Sequence, residues 1–185
     1  TFGVNDVYDY ASDRINKRKN SRSAQGAFLP TGNHAMVITA AAGATAILFI
    51  ASFTFSLLSK NFTSVVATVT ALAVAWVYSA PPVRLKERPP LDSLSNAVLV
   101  WSVILIGFSH GGRLANFPGT VYFASLVAAS VHAIAAIVDY SPDKKAGVKT
   151  IATIFGKRIA ALFSAALSLI IIMFSGIKSL PLRLF

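Results

Sequence analysis

The chain has 185 residues, of which 55% are apolar and only 13% charged, with a mean hydropathy of +0.64. That balance excludes a soluble globular domain and fits a membrane protein; the absence of cysteine excludes a disulfide framework, a thiolate metal site and a cysteine nucleophile. A net charge of +10 would suit nucleic acid, but the bases lie between long apolar runs rather than among aromatics on a polar surface, so no nucleic-acid partner is expected.

The first element along the chain is acidic: Asn5-Asp6-x-x-Asp9-x-x-x-Asp13. On a helix, spacings of three and four put these residues on one face, with Asn5 one turn from Asp9. Like charges so placed repel, and a hard divalent cation reverses the sign of that interaction. Magnesium takes oxygen ligands and binds through a few carboxylates together with substrate phosphates. The plainer alternative is a solvated helix end that happens to be acidic.

Five stretches follow that contain no Asp, Glu, Lys or Arg and are long enough to cross a bilayer as helices: 35–58, 62–80, 94–112, 121–138 and 159–177. In lipid each must satisfy its own backbone, so the expected fold is all-α, a polytopic membrane helical bundle forming one domain over 1–185. Small residues at Ala40 to Ala44, Ala71, Ala73, Ala128, Ala129, Ala165 and Ala166 are candidates for close helix approach.

Between the second and third spans lies Tyr78-Ser79-Ala80-Pro81-Pro82-Val83-Arg84-Leu85-Lys86. The prolines end the span and predict an extended loop, in which Arg84 and Lys86 point to the same side. These two cations read either as membrane-boundary anchors or as counterions to a diphosphate. Asp139 closes the fourth span, and Asp139-Tyr140-Ser141-Pro142-Asp143 reads as a turn. There Ser141 is expected to cap a new helix, Pro142 to take its first position and Asp143 to fall in its first turn. His34, His110 and His132 have no metal-ligand spacing and read as polar contacts between helices. His132 stands about two turns deeper than Asp139 on the same face.

Threading the loops alternately across a membrane puts residues 1–34, 81–93 and 139–158 on one side. That side collects every Lys and Arg except Lys60, Arg113, Lys178 and Arg183, and so reads as cytoplasmic. It also collects all seven acids, which scattered decoration would not do.

Three segments together, Asn5-Asp6-x-x-Asp9-x-x-x-Asp13, Tyr78-Ser79 with Pro-Pro-x-Arg-x-Lys, and Asp139-x-x-x-Asp143-x-x-x-Gly147-x-x-Thr150, resemble the signature loops of the UbiA prenyltransferase superfamily. The resemblance implies nine membrane helices around a central cavity, with this chain running from the loop after the second helix through the seventh. It implies that Asn5, Asp6, Asp9 and Asp13 hold one Mg2+ and that Asp139 and Asp143 hold another. It further implies that Tyr78, Arg84, Lys86 and Arg22 contact an isoprenyl diphosphate. The implied reaction is loss of the metal-bound diphosphate and capture of the allylic cation by a hydrophobic acceptor.

Asn5-Asp6-Val7-Tyr8-Asp9-Tyr10 with Asn16-Lys17-Arg18-Lys19, and Leu91-Asp92-Ser93-Leu94-Ser95-Asn96, look most like the lycopene elongase branch, whereas Pro142 departs from the small or acidic residue expected there. An aromatic, quinone-precursor acceptor is the alternative within the superfamily. A divalent-cation or anion transporter is the alternative outside it, although its site would lie nearer the membrane midplane than these loop carboxylates do.

Overall fold

The computed structural model describes residues 2–13, 29–111 and 116–174. Helices α1 (Phe2–Tyr8) and α2 (Tyr10–Asp13) open the chain. A short 3-10 turn leads into α3 (His34–Ser59), followed by α4 (Thr63–Ser79), α5 (Leu91–Ser109) and α6 (Thr120–Val138). Two short helices, α7 (Tyr140–Ala146) and α8 (Ile151–Phe155), precede α9 (Lys157–Phe174).

The all-α class holds. Four helices are long and apolar enough to cross a membrane: α3 with its lead-in turn, α5, α6 and α9. The second expected span, α4, is apolar but has 17 residues. At 1.5 Å per residue it rises about 26 Å, a little short of the hydrocarbon core. The Pro81-Pro82 pair prevents its extension. The third span begins earlier than its apolar run: α5 starts at Leu91, so Asp92 lies inside its first turn.

The apolar helices pack in chain order, α3 on α4, α4 on α5, α5 on α6, and α6 on α9. Lys60 turns the chain between α3 and α4 in a left-handed conformation (φ 52°). Asn61 fixes this corner by accepting from Thr63 N (3.1 Å) and donating to Ser109 O at the end of α5 (3.0 Å). At the opposite end of the bundle, α1 lies against the start of α3. A methyl at Gly3 would stand only 2.8 Å from Val37 Cγ1, so glycine permits this approach.

Lipid is as apolar as leucine, so helix contact here relies on close fit and on hydroxyl pairing. Ala129, Ala133 and Ala136 on α6 are buried, with Ala160 and Leu167 of α9 and Ile151 of α8 in the same clusters. Beside them Ser130 Oγ meets Ser164 Oγ at 2.7 Å. A second hydroxyl set, Ser52, Ser64 and Thr68, joins α3 to α4 at 2.9–3.0 Å, and Trp76 donates to Thr45 Oγ1 at 3.0 Å. Of the small residues expected at contacts, Ala129 is at one, but Ala165, Ala166 and most of the Ala40 to Ala44 run are exposed. Composition marks close approach as possible without saying which face meets a neighbour.

In the complete protein in detergent, Ala133→Leu should lower unfolding stability by about 1–3 kcal/mol through overpacking. Ile134→Ala, one residue on but 49% exposed, should change it by less than about 0.5 kcal/mol. Thermal unfolding of the two variants checks the register of α6.

Candidate functional site

Three segments remote in sequence meet at one end of the bundle. Residues 2–9 continue as near-helix past Tyr8, since Asp9 N donates to Asn5 O at 2.9 Å. Asn5 and Asp9 therefore stack one turn apart, as their spacing predicts. Both reach the 80–90 segment. Ser79 Oγ donates to Asn5 Oδ1 at 2.9 Å, and Lys86 Nζ donates to Asn5 Oδ1 at 2.9 Å and also to Asp9 Oδ1. Arg84 donates from one guanidinium nitrogen to Asp9 Oδ1 at 3.3 Å, and grips Glu87 Oε1 at 2.5 Å and 2.9 Å.

The expected convergence of Arg84 and Lys86 is present, but its geometry differs from the extended loop predicted. The segment turns at Pro81 to Val83, and Leu85–Glu87 form a 3-10 helix. Arg84 stands in the left-handed region at φ 45°. That backbone turn lets two residues on a curled segment aim at the same carboxylate. Lys86 is largely enclosed, with a side chain 12% exposed. Burial pushes its ammonium below the usual lysine range, and the hydrogen bond and charge of Asp9 oppose that shift.

The second acidic segment is built by helix punctuation. Asp139 is the C-cap of one helix and the N-cap of the next, joining α6 to α7. Asp143 N donates to Asp139 O at 2.9 Å, so the two carboxylates leave the same face one turn apart. Helix α7 begins at Tyr140, two residues before Pro142, so Ser141 is not its cap as predicted. Proline is tolerated in a first turn because the N–H it lacks has no helical partner there. Asp143 does lie in that first turn. Gly147 ends α7 with φ +70°, a conformation that strains any residue with a Cβ. Thr150 then starts α8 in a capping box with Thr153. The spacing Asp139-x-x-x-Asp143-x-x-x-Gly147-x-x-Thr150 is thus one helical turn, a stop and a new start.

A buried network links the two acidic segments. Asp92 is fully buried; its Oδ1 accepts from Ser93 N (2.8 Å) and its Oδ2 from Ile151 N (2.9 Å), the first N–H of α8. Ser93 Oγ lies 3.1 Å from His132 Nδ1, and His132 Nε2 lies 3.2 Å from the Tyr78 hydroxyl. His132 is indeed an interhelical polar contact. The other two imidazoles lie elsewhere: His34 beside Leu29 O and the Tyr10 ring, and His110 stacked on Phe55 at the far end of α5.

Asn5, Asp9, Arg84 and Lys86 are therefore brought into direct contact, and Tyr78 is held on the neighbouring face of α4. Asp6 lies on α1 between Asn5 and Asp9. Arg22 and the side chain of Asp13 lie outside the described residues. Among the described residues no three His, Asp or Glu side chains gather as a metal cluster.

The donor set nevertheless fits a hard cation. Asn5 Oδ1 and Asp9 Oδ1 already converge on one positive group, the Lys86 ammonium, and both converging atoms are oxygens. Sequence reading did not single out Asp92 and Glu87 as the contacts that hold these segments together. The second partner of Asp92, Ile151, is 59 residues away, so no local pattern announces it.

Residues 1–184 match the model of the UbiA prenyltransferase family. A lycopene elongase/hydratase from Corynebacterium glutamicum is 33% identical over 171 residues, covering 91% of this chain and 58% of that protein. A protein of the same description from Haloarcula japonica is 34% identical over 156 residues, covering 84% and 50%. A UbiA homolog from Archaeoglobus fulgidus, solved bound to DMAPP and Mg2+, superposes with a TM-score of 0.75 at 26% identity, covering 93% of this chain and 58% of that one. The chain thus spans between half and three-fifths of these relatives' length. With Asn5 and Asp9 held on a basic segment at one end of an apolar helical bundle, and a family match along nearly all its residues, the chain belongs to the UbiA prenyltransferase family.

Proposed function

We propose that the complete protein is an integral-membrane prenyltransferase, moving an isoprenyl group from an allylic diphosphate to a hydrophobic acceptor in the bilayer. The observation that carries this reading is the convergence of Asn5 Oδ1 and Asp9 Oδ1 on Lys86, with Arg84 alongside, at the end of the apolar helices. Carboxylates alone would repel a diphosphate, and cations alone would not recruit a metal. The mixture suits a metal diphosphate whose tail enters the apolar interior.

Asn5, Asp6, Asp9 and Asp13 would hold one Mg2+, and Asp139 and Asp143 another. When bound, the metal would supply charge stabilisation to the departing diphosphate. Lys86 and Arg84 would turn from Asp9 to the diphosphate oxygens, with Tyr78 and Arg22 as further donors. The C–O bond to the diphosphate breaks, a bond forms between the allylic carbon and the acceptor, and the acceptor gives up one proton. The apolar span faces would keep water from the cation.

The two relatives described as lycopene elongase/hydratase favour a carotenoid acceptor, with a quinone precursor as the second reading. The acidic loops are assigned to the cytoplasmic side from the distribution of Lys and Arg. A transporter is disfavoured because the charged groups cluster at the bundle end, whereas transporter sites lie near the midplane.

With the complete protein in membranes, labelled dimethylallyl diphosphate should be transferred to lycopene, and a chelator should abolish the transfer. Transfer to 4-hydroxybenzoate instead would move the acceptor to the quinone class. Loss of neither donor nor label with any acceptor or longer donor would sink the enzyme reading.

Asp9→Asn should cut turnover by roughly a hundredfold or more, by removing charge that the metal requires. Wild-type turnover in that variant would remove Asp9 from the site. Lys86→Gln should weaken binding of the metal diphosphate by about ten- to a hundredfold, as expected for one charged hydrogen bond. Lys86→Arg should recover part of that affinity, as read by titration with Mg2+ and pyrophosphate.

A further inference from the structure

The Tyr78 hydroxyl serves a diphosphate only if its hydrogen points there, and its hydrogen-bond partners inside the protein decide that: the Asn96 amide, which donates to the phenol oxygen, and His132. His132 Nε2 lies 3.2 Å from the hydroxyl. When Nε2 carries no proton it accepts the phenol hydrogen, which then faces away from any ligand. When Nε2 carries the proton it donates to the phenol oxygen and leaves the phenol hydrogen free to donate outward. The two tautomers differ in what they ask of Nδ1, whose partner among the described residues is Ser93 Oγ at 3.1 Å. A hydroxyl can donate or accept, so Ser93 permits the useful tautomer by donating to Nδ1. Ser93 is fully buried, and its own backbone N–H is fixed on the buried Asp92 carboxylate. The chain Asp92, Ser93, His132, Tyr78 therefore crosses α5, α6 and α4 and ends on the residue next to Ser79, which holds Asn5.

We propose that His132 is a positioning residue for prenyl transfer: gripped by Ser93 through Nδ1, it donates from Nε2 to Tyr78 and turns the phenol hydrogen toward the donor diphosphate. The proposal rests on the prenyl-transfer reading above. No bond to His132 is made or broken and no proton leaves it. Its effect is to make Tyr78 a donor whose orientation is set before the substrate arrives, so that no reorientation is needed as negative charge develops on the leaving group.

The test uses the complete protein in membranes with dimethylallyl diphosphate, Mg2+ and the acceptor that supports turnover. Glutamine and asparagine at this position separate the two contacts. The Gln amide nitrogen falls near the place of Nε2, and the Asn amide near that of Nδ1. His132→Gln should retain turnover within about threefold of wild type, because the donor to Tyr78 survives. His132→Asn should lose roughly ten- to a hundredfold in kcat with little change in KM, matching Tyr78→Phe. His132→Asn combined with Tyr78→Phe should be no worse than either alone, since both remove the same oriented hydrogen.

A purely packing role predicts instead that both His132 variants fall together with their thermal stability, and that result would overturn the proposal. So would multiplicative losses in the double variant, or wild-type turnover in a stably folded His132→Asn. Absence of turnover in the unsubstituted protein would strike the prenyl-transfer reading itself. The proposal would then be read on Mg2+-pyrophosphate affinity, where a weakening in His132→Asn that His132→Gln does not share sustains it and equal affinities overturn it.

Discussion

A carboxylate enclosed in protein is held only if its negative charge is met by donors, because the desolvation it suffers is large. Asp92 meets that requirement with two backbone N–H groups, one its own neighbour's and one from the start of α8. Its position in the first turn of α5 adds the favourable end of the helix dipole. The consequence is architectural. The N–H of Ile151 has no helical acceptor of its own, and by taking Asp92 it ties the segment carrying Asp139 and Asp143 to the segment carrying Arg84 and Lys86. The two segments that carry the candidate site residues are thereby held against one another.

The same economy of polar groups runs through the apolar helices. Serine is the commonest buried polar residue, and many of these serines bond across a helix pair or back onto their own helix. In a medium where leucine gains nothing by leaving lipid, a hydroxyl with a partner on the next helix is one of the few contacts that distinguish one packing from another. The large apolar side chains point mostly outward, as Ile47, Leu58, Val103, Leu162 and Ile172 do, which inverts the pattern of a water-soluble fold.

At the site, the ion pairs among described residues mark a balance of charge rather than a finished binding geometry. Lys86 and Arg84 both neutralise Asp9, and Glu87 restrains Arg84 from its own loop. A metal diphosphate brings two positive charges for the carboxylates and negative oxygens for the cations, so each partner could exchange one opposite charge for another. Such a site keeps its groups oriented in either arrangement.

The all-α class, the approximate limits of the spans, the one-face placement of Asn5 with Asp9 and of Asp139 with Asp143, and the gathering of acids at one end were legible in the sequence. All follow from local periodicity or from the alternation of spans, which need only neighbouring residues. What the sequence could not yield was set at long range: the burial of Asp92 against Ile151, the placement of His132 between Ser93 and Tyr78, and the choice of Ala129, Ala133 and Ala136 over the other small residues. The curl of the 80–90 segment, with Arg84 at positive φ, also escaped a reading that assumed extension after proline. Those features depend on which helix faces touch. In a chain whose surface and interior are equally apolar, composition carries almost no signal of that, and only the assembled packing decides it.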